Sequence, residues 1–273
     1  MLRSLWSAAS GMFAQQISLD NISNNISNIN TTGYKTQTTE FKSLLYQELK
    51  HRATDHEGNP KPVGVQVGLG VRDASITTIF TQGNAQSTEQ PLDVMIQGRG
   101  FFAVNKAGTI GYTRNGHFSV SRTTDGWRLG DSDGNAVLST EGNPIVFTDE
   151  VDPSKVIIDR SGNVSYNSEN EDGTITTYKL GQLAIYQFND PEGLTKGGDS
   201  LYFESAASGA PRAEATDTNL SKSQIVQGYL ESSNVSAADE MVNMIVTQRA
   251  YQLNSKAITT SDEMLEIANG LKR

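Results

Sequence analysis

The sequence predicts an α+β protein with a long helix at each end, the two packing as a coiled coil, extended connectors, and a central, mostly antiparallel β-domain. Three observations predict it. Apolar residues recur at 3-4 spacing near both termini; short β-prone runs punctuated by Gly, Asn, Asp and Pro fill the middle; and the stretches between them are rich in Thr, Gln, Gly, Ser and Ala with weak periodicity.

Residues 1–30 carry two charges, Arg3 and Asp20. Leu2, Leu5, Ala9 and Met12 form one apolar set, and Leu19, Ile22, Ile26 and Ile29 a second, slightly out of phase, at the period of an amphipathic helix. The opposite face offers Gln15, Gln16, Asn21, Asn24, Asn25 and Asn28 where a surface helix would show Lys and Glu. Such a face can be buried through hydrogen bonds without the cost of desolvating charges. Asn30-Thr31-Thr32-Gly33 supplies helix-stop residues, and an extended connector follows over 31–90.

Over 91–211, Val94–Ile96, Phe101–Val104, Phe118–Ser121, Ile145–Phe147, Val156–Ile158, Ile175–Leu180, Leu183–Phe188 and Leu201–Phe203 read as strands of an outer β-domain. A return connector spans 212–235. The last segment, 236–273, opens with Ser236 and Asp239 in capping-box spacing. Val246, Ala250, Leu253, Ala257, Thr260, Met264, Ile267 and Leu271 then step 4-3-4-3, with Met244, Tyr251, Ile258 and Leu265 as a second stripe beside them. Together the stripes are wider than a two-stranded seam uses, so this helix should pack on more than one partner. The predicted assembly interface is therefore Leu5, Met12, Leu19, Ile22, Ile26 and Ile29 with Met244, Val246, Tyr251, Leu253, Ile258, Met264, Leu265 and Ile267.

Composition narrows the function. The chain has 273 residues, of which eighty-seven are Asn, Gln, Ser or Thr; 22 basic against 31 acidic residues give a net charge of −9. That charge argues against binding to nucleic acid or to an anionic membrane. No apolar run approaches the length of a membrane helix or a signal-peptide core, so neither membrane insertion nor a cleaved signal is expected. There are no cysteines, which removes disulfides, thiolate catalysis and Cys-type metal sites.

No catalytic, cofactor-binding or metal-ligating residue is predicted. His51, His56 and His117 have no ligand spacing. Asp131-Ser132-Asp133-Gly134-Asn135 begins like a calcium loop, but its Gly is at the fourth position and its twelfth residue is Gly142, so it reads as an exposed hairpin turn. Gly98-Arg99-Gly100 runs into the strand Phe101-Phe102 and lacks the helix of a dinucleotide site. Asp149, Glu150 and Asp152 read as a solvated acidic loop.

Four stretches carry a resemblance. Asn24–Lys35, Pro91–Phe102, Tyr112–Phe118 and Gln227–Val235, the last continuing through Glu240-Met241-Val242 and Gln248–Tyr251 to Met264-Leu265, resemble the signatures of bacterial flagellar rod and hook proteins. Val65–Val71 and Thr81–Asn84 are similar to the connector of the distal-rod branch of that family, whereas about 122–177 matches it poorly.

The resemblance implies a structural subunit whose terminal helices build the inner wall of a hollow helical tube, with β-domains outside, acting as a drive shaft between motor and hook. It implies as partners further copies of the same chain (a homo-oligomer), proximal rod proteins, the hook protein, ring bushing proteins where present, and the flagellar export apparatus, at the basal body in the cell envelope. Another axial member of the family, or a secreted carbohydrate-binding or hydrolytic β-domain on helical anchors, is the alternative.

Overall fold

The computed structural model describes residues 2–50, 65–123, 126–147, 152–169 and 175–271. They form two units, one of residues 1–27, 37–78 and 236–273, the other of 28–36 and 79–235.

The first unit contains both long helices, α1 (Leu2–Ser27) and α2 (Ala237–Gly270). The helix at the start of α2 is capped as its sequence implies: the Ser236 side chain accepts from the Asp239 amide, and Asp239 and Glu240 sit in the first turn, where the helix dipole favours acids. At about 1.5 Å per residue α2 is about 50 Å long. The part of the connector that belongs to this unit is paired rather than single-stranded. Strands β1 (Gln37–Ser43) and β4 (Val71–Thr78) form an antiparallel ribbon, and β2 (Tyr46–Lys50) pairs with β3 (Val65–Gly68).

The second unit is the β-domain. Strand β5 (Ala85–Ser87) pairs with the last strand, β21 (Tyr229–Glu231), and β6 (Val94–Gln97) with β20 (Gln224–Gln227). Between them, β7 (Phe101–Lys106), β8 (Thr109–Thr113), β9 (Ser119–Thr123), β10 (Gly126–Gly130), β11 (Ala136–Val137) and β12 (Val146–Phe147) share one antiparallel sheet with β16 (Ile185–Gln187), β17 (Thr195–Lys196), β18 (Leu201–Phe203) and β19 (Arg212–Ala213). Strands β13 (Val156–Ile158), β14 (Asn163–Glu169) and β15 (Ile175–Gln182) form a separate antiparallel sheet. Strand β7 explains its unbroken apolar run: Phe101 and Ala103 face a cluster with Tyr112, Leu138 and Tyr202, while Phe102 and Val104 face one with Phe118, Leu129 and Phe147. A strand buried on both faces cannot alternate with polar residues.

Candidate assembly surface

Helices α1 and α2 run antiparallel in a fixed register. The Asn25 amide donates to Glu240 at 3.1 Å, a Cβ on Gly11 would meet the Asn254 amide at 2.7 Å, and the Ser4 and Ser261 hydroxyls lie 3.5 Å apart. These pairs are fourteen and seven residues apart on both helices, so they fall along one line of the pair. Its α2 side alternates polar Glu240, Thr247, Asn254 and Ser261 with half-buried Met244, Ile258 and Leu265. Small residues on α1, among them buried Ala8, Gly11 and Ala14, let the backbones approach closely.

The Asn-rich face of α1 is used on the strand side. Asn21 and Asn25, one turn apart, both donate to the Gln37 carbonyl at 2.9 and 2.8 Å, and Asn25 accepts the Gln37 amide at 3.0 Å. Asn21 also donates to the Thr39 hydroxyl at 3.1 Å, and Val71 donates to the Ser10 hydroxyl at 3.3 Å. Asn21 and Asn25 are thus buried with hydrogen bonds made, whereas Gln15 and Asn28 are half-buried and Gln16 and Asn24 exposed, so only this part of the predicted face is covered.

The predicted interface residues divide into three groups. Ile22 is buried; Leu5, Met12, Leu19, Ile26, Met244, Ile258 and Leu265 are half-buried. Val246, Tyr251, Leu253, Met264 and Ile267 are exposed, Leu253 by 69%. Ile29 is half-buried but lies past the end of α1, in the second unit. Two exposed residues that the apolar count passed over are Trp6 (74%) and Phe13 (67%); their seven-residue spacing is the signal that would have found them. Among the described residues, eighteen of the twenty-four exposed large apolar side chains belong to the first unit, while only Ala8, Ala14 and Ile22 of the thirty buried apolar ones do.

The second unit holds a polar junction that sequence reading left without a role. Lys35 donates to Glu231 at 2.5 Å and to the Thr81 carbonyl at 2.7 Å; Arg114 donates to the same carboxylate at 3.3 Å and to the Gly98 carbonyl at 2.7 Å, with its guanidinium over the Phe101 ring. Glu231 also accepts the Gly83 amide at 2.9 Å. Burial lowers both the Lys35 and Arg114 pKa values, and Glu231 opposes the shift in each case. Nearby, Asn234 accepts the Thr36 amide and hydroxyl at 2.7 and 2.8 Å and donates to the Ile79 carbonyl at 2.9 Å. Lys35, Arg114 and Glu231 come from three of the stretches that carry the family resemblance.

Among the described residues, no three His, Cys, Asp or Glu side chains converge as metal ligands. His51, His56, Asp149 and Glu150 lie outside the described residues. His117 is exposed, with its Nδ1 2.7 Å from Asp93. Asp131 does turn the β10–β11 hairpin, but it is buried, not exposed: its carboxylate takes the Asp133 and Asn135 amides and the Asn135 side chain, leaving little of it for water. A cavity of about 230 Å³ in the second unit is lined by Arg160, Glu214 and Lys222. Both Glu214 oxygens are engaged there, one by Gln187 and the Ser223 hydroxyl at 2.7 Å each, the other by the Ser223 amide at 2.7 Å.

The sequence that builds these parts is similar to that of known proteins. Residues 5–35 match the pattern of the flagella basal body rod protein, 95–166 that of the flagellar hook protein FlgE/F/G D1 domain, and 226–271 that of the flagellar basal body rod FlgEFG protein C-terminal region. The flagellar basal-body rod protein FlgG of Borreliella burgdorferi is 44% identical, with both chains covered in full. The chain belongs to the FlgG family of flagellar basal-body rod proteins. FlgG of Caulobacter vibrioides is 39% identical over 99% of this chain and all of its own, and FlgG of Bacillus subtilis 37% identical over the full length of both. A flagellar hook-basal body complex protein of Bacillus subtilis, FlhP, is 31% identical, also over both full lengths. As a FlgG-family member, the chain is a structural subunit of the rod in the flagellar basal body. Among the described residues, no helix is long and apolar enough to cross a membrane.

Proposed function

We propose that copies of this chain polymerise through the first unit into a hollow helical tube, the distal rod, which works as a rigid drive shaft carrying torque from motor to hook. In this reading α1 and α2 form a coiled coil, and the exposed stripe Val246, Leu253, Met264 and Ile267, with Trp6 and Phe13, packs on neighbouring copies. The uneven exposure carries the reading. A unit of about a hundred residues whose described part has three buried apolar side chains and eighteen large exposed ones has its core supplied by its neighbours. Further partners are the proximal rod proteins below, the hook protein above and ring bushing proteins around the β-domains, and delivery is through the flagellar export apparatus. The test is polymerisation of the purified full chain at rising concentration, followed by sedimentation and electron microscopy. Tubes that appear above a threshold concentration are the expected result; a chain that stays monomeric at every concentration and salt removes the reading.

A further inference from the structure

Glu240 is a buried carboxylate with no cation beside it among the described residues. It lines a groove of about 260 Å³ in the first unit, together with Ser18, Asn21, Gln37, Thr39 and Asn243. Only 7% of Glu240 is exposed. Asn25 donates to one of its oxygens at 3.1 Å, and the other charged group that acts on it is Asp239, a second acid. The remaining walls are uncharged and rich in hydroxyl and carboxamide acceptors. A carboxylate held out of water without a counter-charge is costly unless something cationic completes the site.

We propose that this groove is a receptor for a cationic side chain of a second copy of the chain, and that the cation is Arg3. The inference rests on the assembly reading above. The chemistry fits, because a guanidinium presents five N–H donors in a plane and is weakly hydrated, which suits a carboxylate surrounded by neutral acceptors. Among the exposed cations of the first unit's described residues, which include Lys42, Arg72, Arg249 and Lys256, Arg3 is the one on α1 and the one nearest the end of the helix pair opposite Glu240, and it forms none of the ion pairs found among the described residues. It cannot reach the groove of its own copy. The antiparallel register puts Arg3 beside the Ser261 end of the pair and Glu240 beside Asn25, about 30 Å away along α1 at about 1.5 Å per residue. A cation at one end of a helix pair and its receptor at the other make a head-to-tail contact, the kind that propagates into an open filament rather than closing on itself.

Glu240→Gln keeps the side-chain volume and an acceptor for Asn25 while removing the charge. In the full chain it should raise the threshold concentration for assembly by about ten- to a hundred-fold, the size of one charge-assisted hydrogen bond, and flatten the salt dependence of that threshold. Arg3→Glu should act alike, and the double variant Arg3→Glu/Glu240→Arg should recover at least tenfold over either single change, with helix content by circular dichroism unchanged throughout. A Glu240→Gln chain that assembles at the wild-type threshold overturns the receptor, and a double variant no better than the singles overturns Arg3 as its ligand. If Leu253→Asp blocks assembly in the same experiment while Glu240→Gln does not, the assembly reading stands and this inference alone falls; a wild-type chain that never assembles removes both.

Discussion

Glu231 receives the Lys35 ammonium at 2.5 Å across 196 residues of chain. Neither side chain touches solvent, and Arg114 reaches the same carboxylate at 3.3 Å with 2% of its side chain exposed. The junction therefore ties the segment entering the β-domain, the hairpin arm at Arg114 and the segment leaving it around one anion. With two cations to one acid, its stability depends on the acid more than on either base.

Glu231→Gln should accordingly destabilise the second unit by about 3–5 kcal/mol, since it strands two buried cations. Lys35→Met should cost less, about 1–3 kcal/mol for the lost charge-assisted bond to the Thr81 carbonyl, which keeps only the longer Asn234 bond at 3.3 Å, because it leaves Arg114 and Glu231 as a balanced pair. Trp127 fluorescence in a Trp6→Phe background during urea unfolding reports this unit. Equal losses in the two variants would mean that the charge excess is unimportant.

Glycines that the backbone crowds should separate cleanly from those it does not. A Cβ on Gly116 would lie 1.7 Å from the Val94 carbonyl oxygen, and the Val94 amide donates to the Gly116 carbonyl at 3.0 Å. Gly116→Ala must push the segment between β8 and β9 away from β6, so it should cost at least the upper end of the roughly 1–3 kcal/mol of overpacking. Gly198 has nothing within 4 Å of its Cβ position, and Gly198→Ala should stay within about 0.5 kcal/mol. The same urea midpoints measure both.

The contrast between residues that announced their place and residues that did not has a physical pattern. Ser236 and Asp239 gave the start of α2 because a cap is a local hydrogen bond. Phe101–Val104 gave β7 because burial on both faces leaves a continuous apolar run. Strand β10 was not read from Gly126-Trp127-Arg128-Leu129-Gly130, although Leu129 is fully buried, because flanking glycines look like turns and it is the facing strands β9, β11 and β12 that make it a strand. On α2, counting apolar residues found both the exposed Val246–Leu253–Met264 stripe and the half-buried Met244, Ile258 and Leu265, but it could not find the polar Glu240, Thr247, Asn254 and Ser261 that share the face against α1. Periodicity gives the faces of a helix; which neighbour covers each face depends on residues far away in sequence. The Lys35–Glu231 pair was invisible for the same reason.

Glu240 gives the dilute chain a pH dependence of known sign. Burial raises its carboxyl above the ordinary value of 4.5, Asp239 adds to the rise, and the Asn25 hydrogen bond opposes it. An acid that holds its proton more tightly when folded contributes its full stability below the unfolded value and loses it as pH climbs through the raised one. The helix pair should therefore melt at a lower temperature at neutral pH than near pH 4.5, and Glu240→Gln should flatten that slope. Helix content at 222 nm against temperature, at a concentration below assembly, checks both; a wild-type chain that gains stability toward neutral pH contradicts the assignment.

Leu253 and Ile258 lie on one helix but should fail in different ways when replaced by Asp. Leu253 is 69% exposed, about a third of a turn round α2 from the seam that faces α1, whereas Ile258 is half-buried in that seam. In a dilute monomer Leu253→Asp changes an exposed position and should shift stability by about 0.5 kcal/mol or less, while Ile258→Asp puts a carboxylate against α1 and should loosen the helix pair. Assembly reverses the visibility. Burying Leu253 against a neighbour contributes roughly 1.5–3 kcal/mol per contact, and a carboxylate in its place adds a desolvation penalty. Every subunit carries the defect, so a polymer loses the contact at each repeat. Asp133→Ala, at an exposed turn position, is the matched control; Asp131 is unsuitable because its carboxylate caps the turn from within. Monomer melting, sedimentation of the polymer and motility at matched export levels should show Leu253→Asp as folded but unable to assemble. Normal rods built from that variant would mean the stripe faces solvent in the tube, and the packing role of this face of α2 would have to be given up.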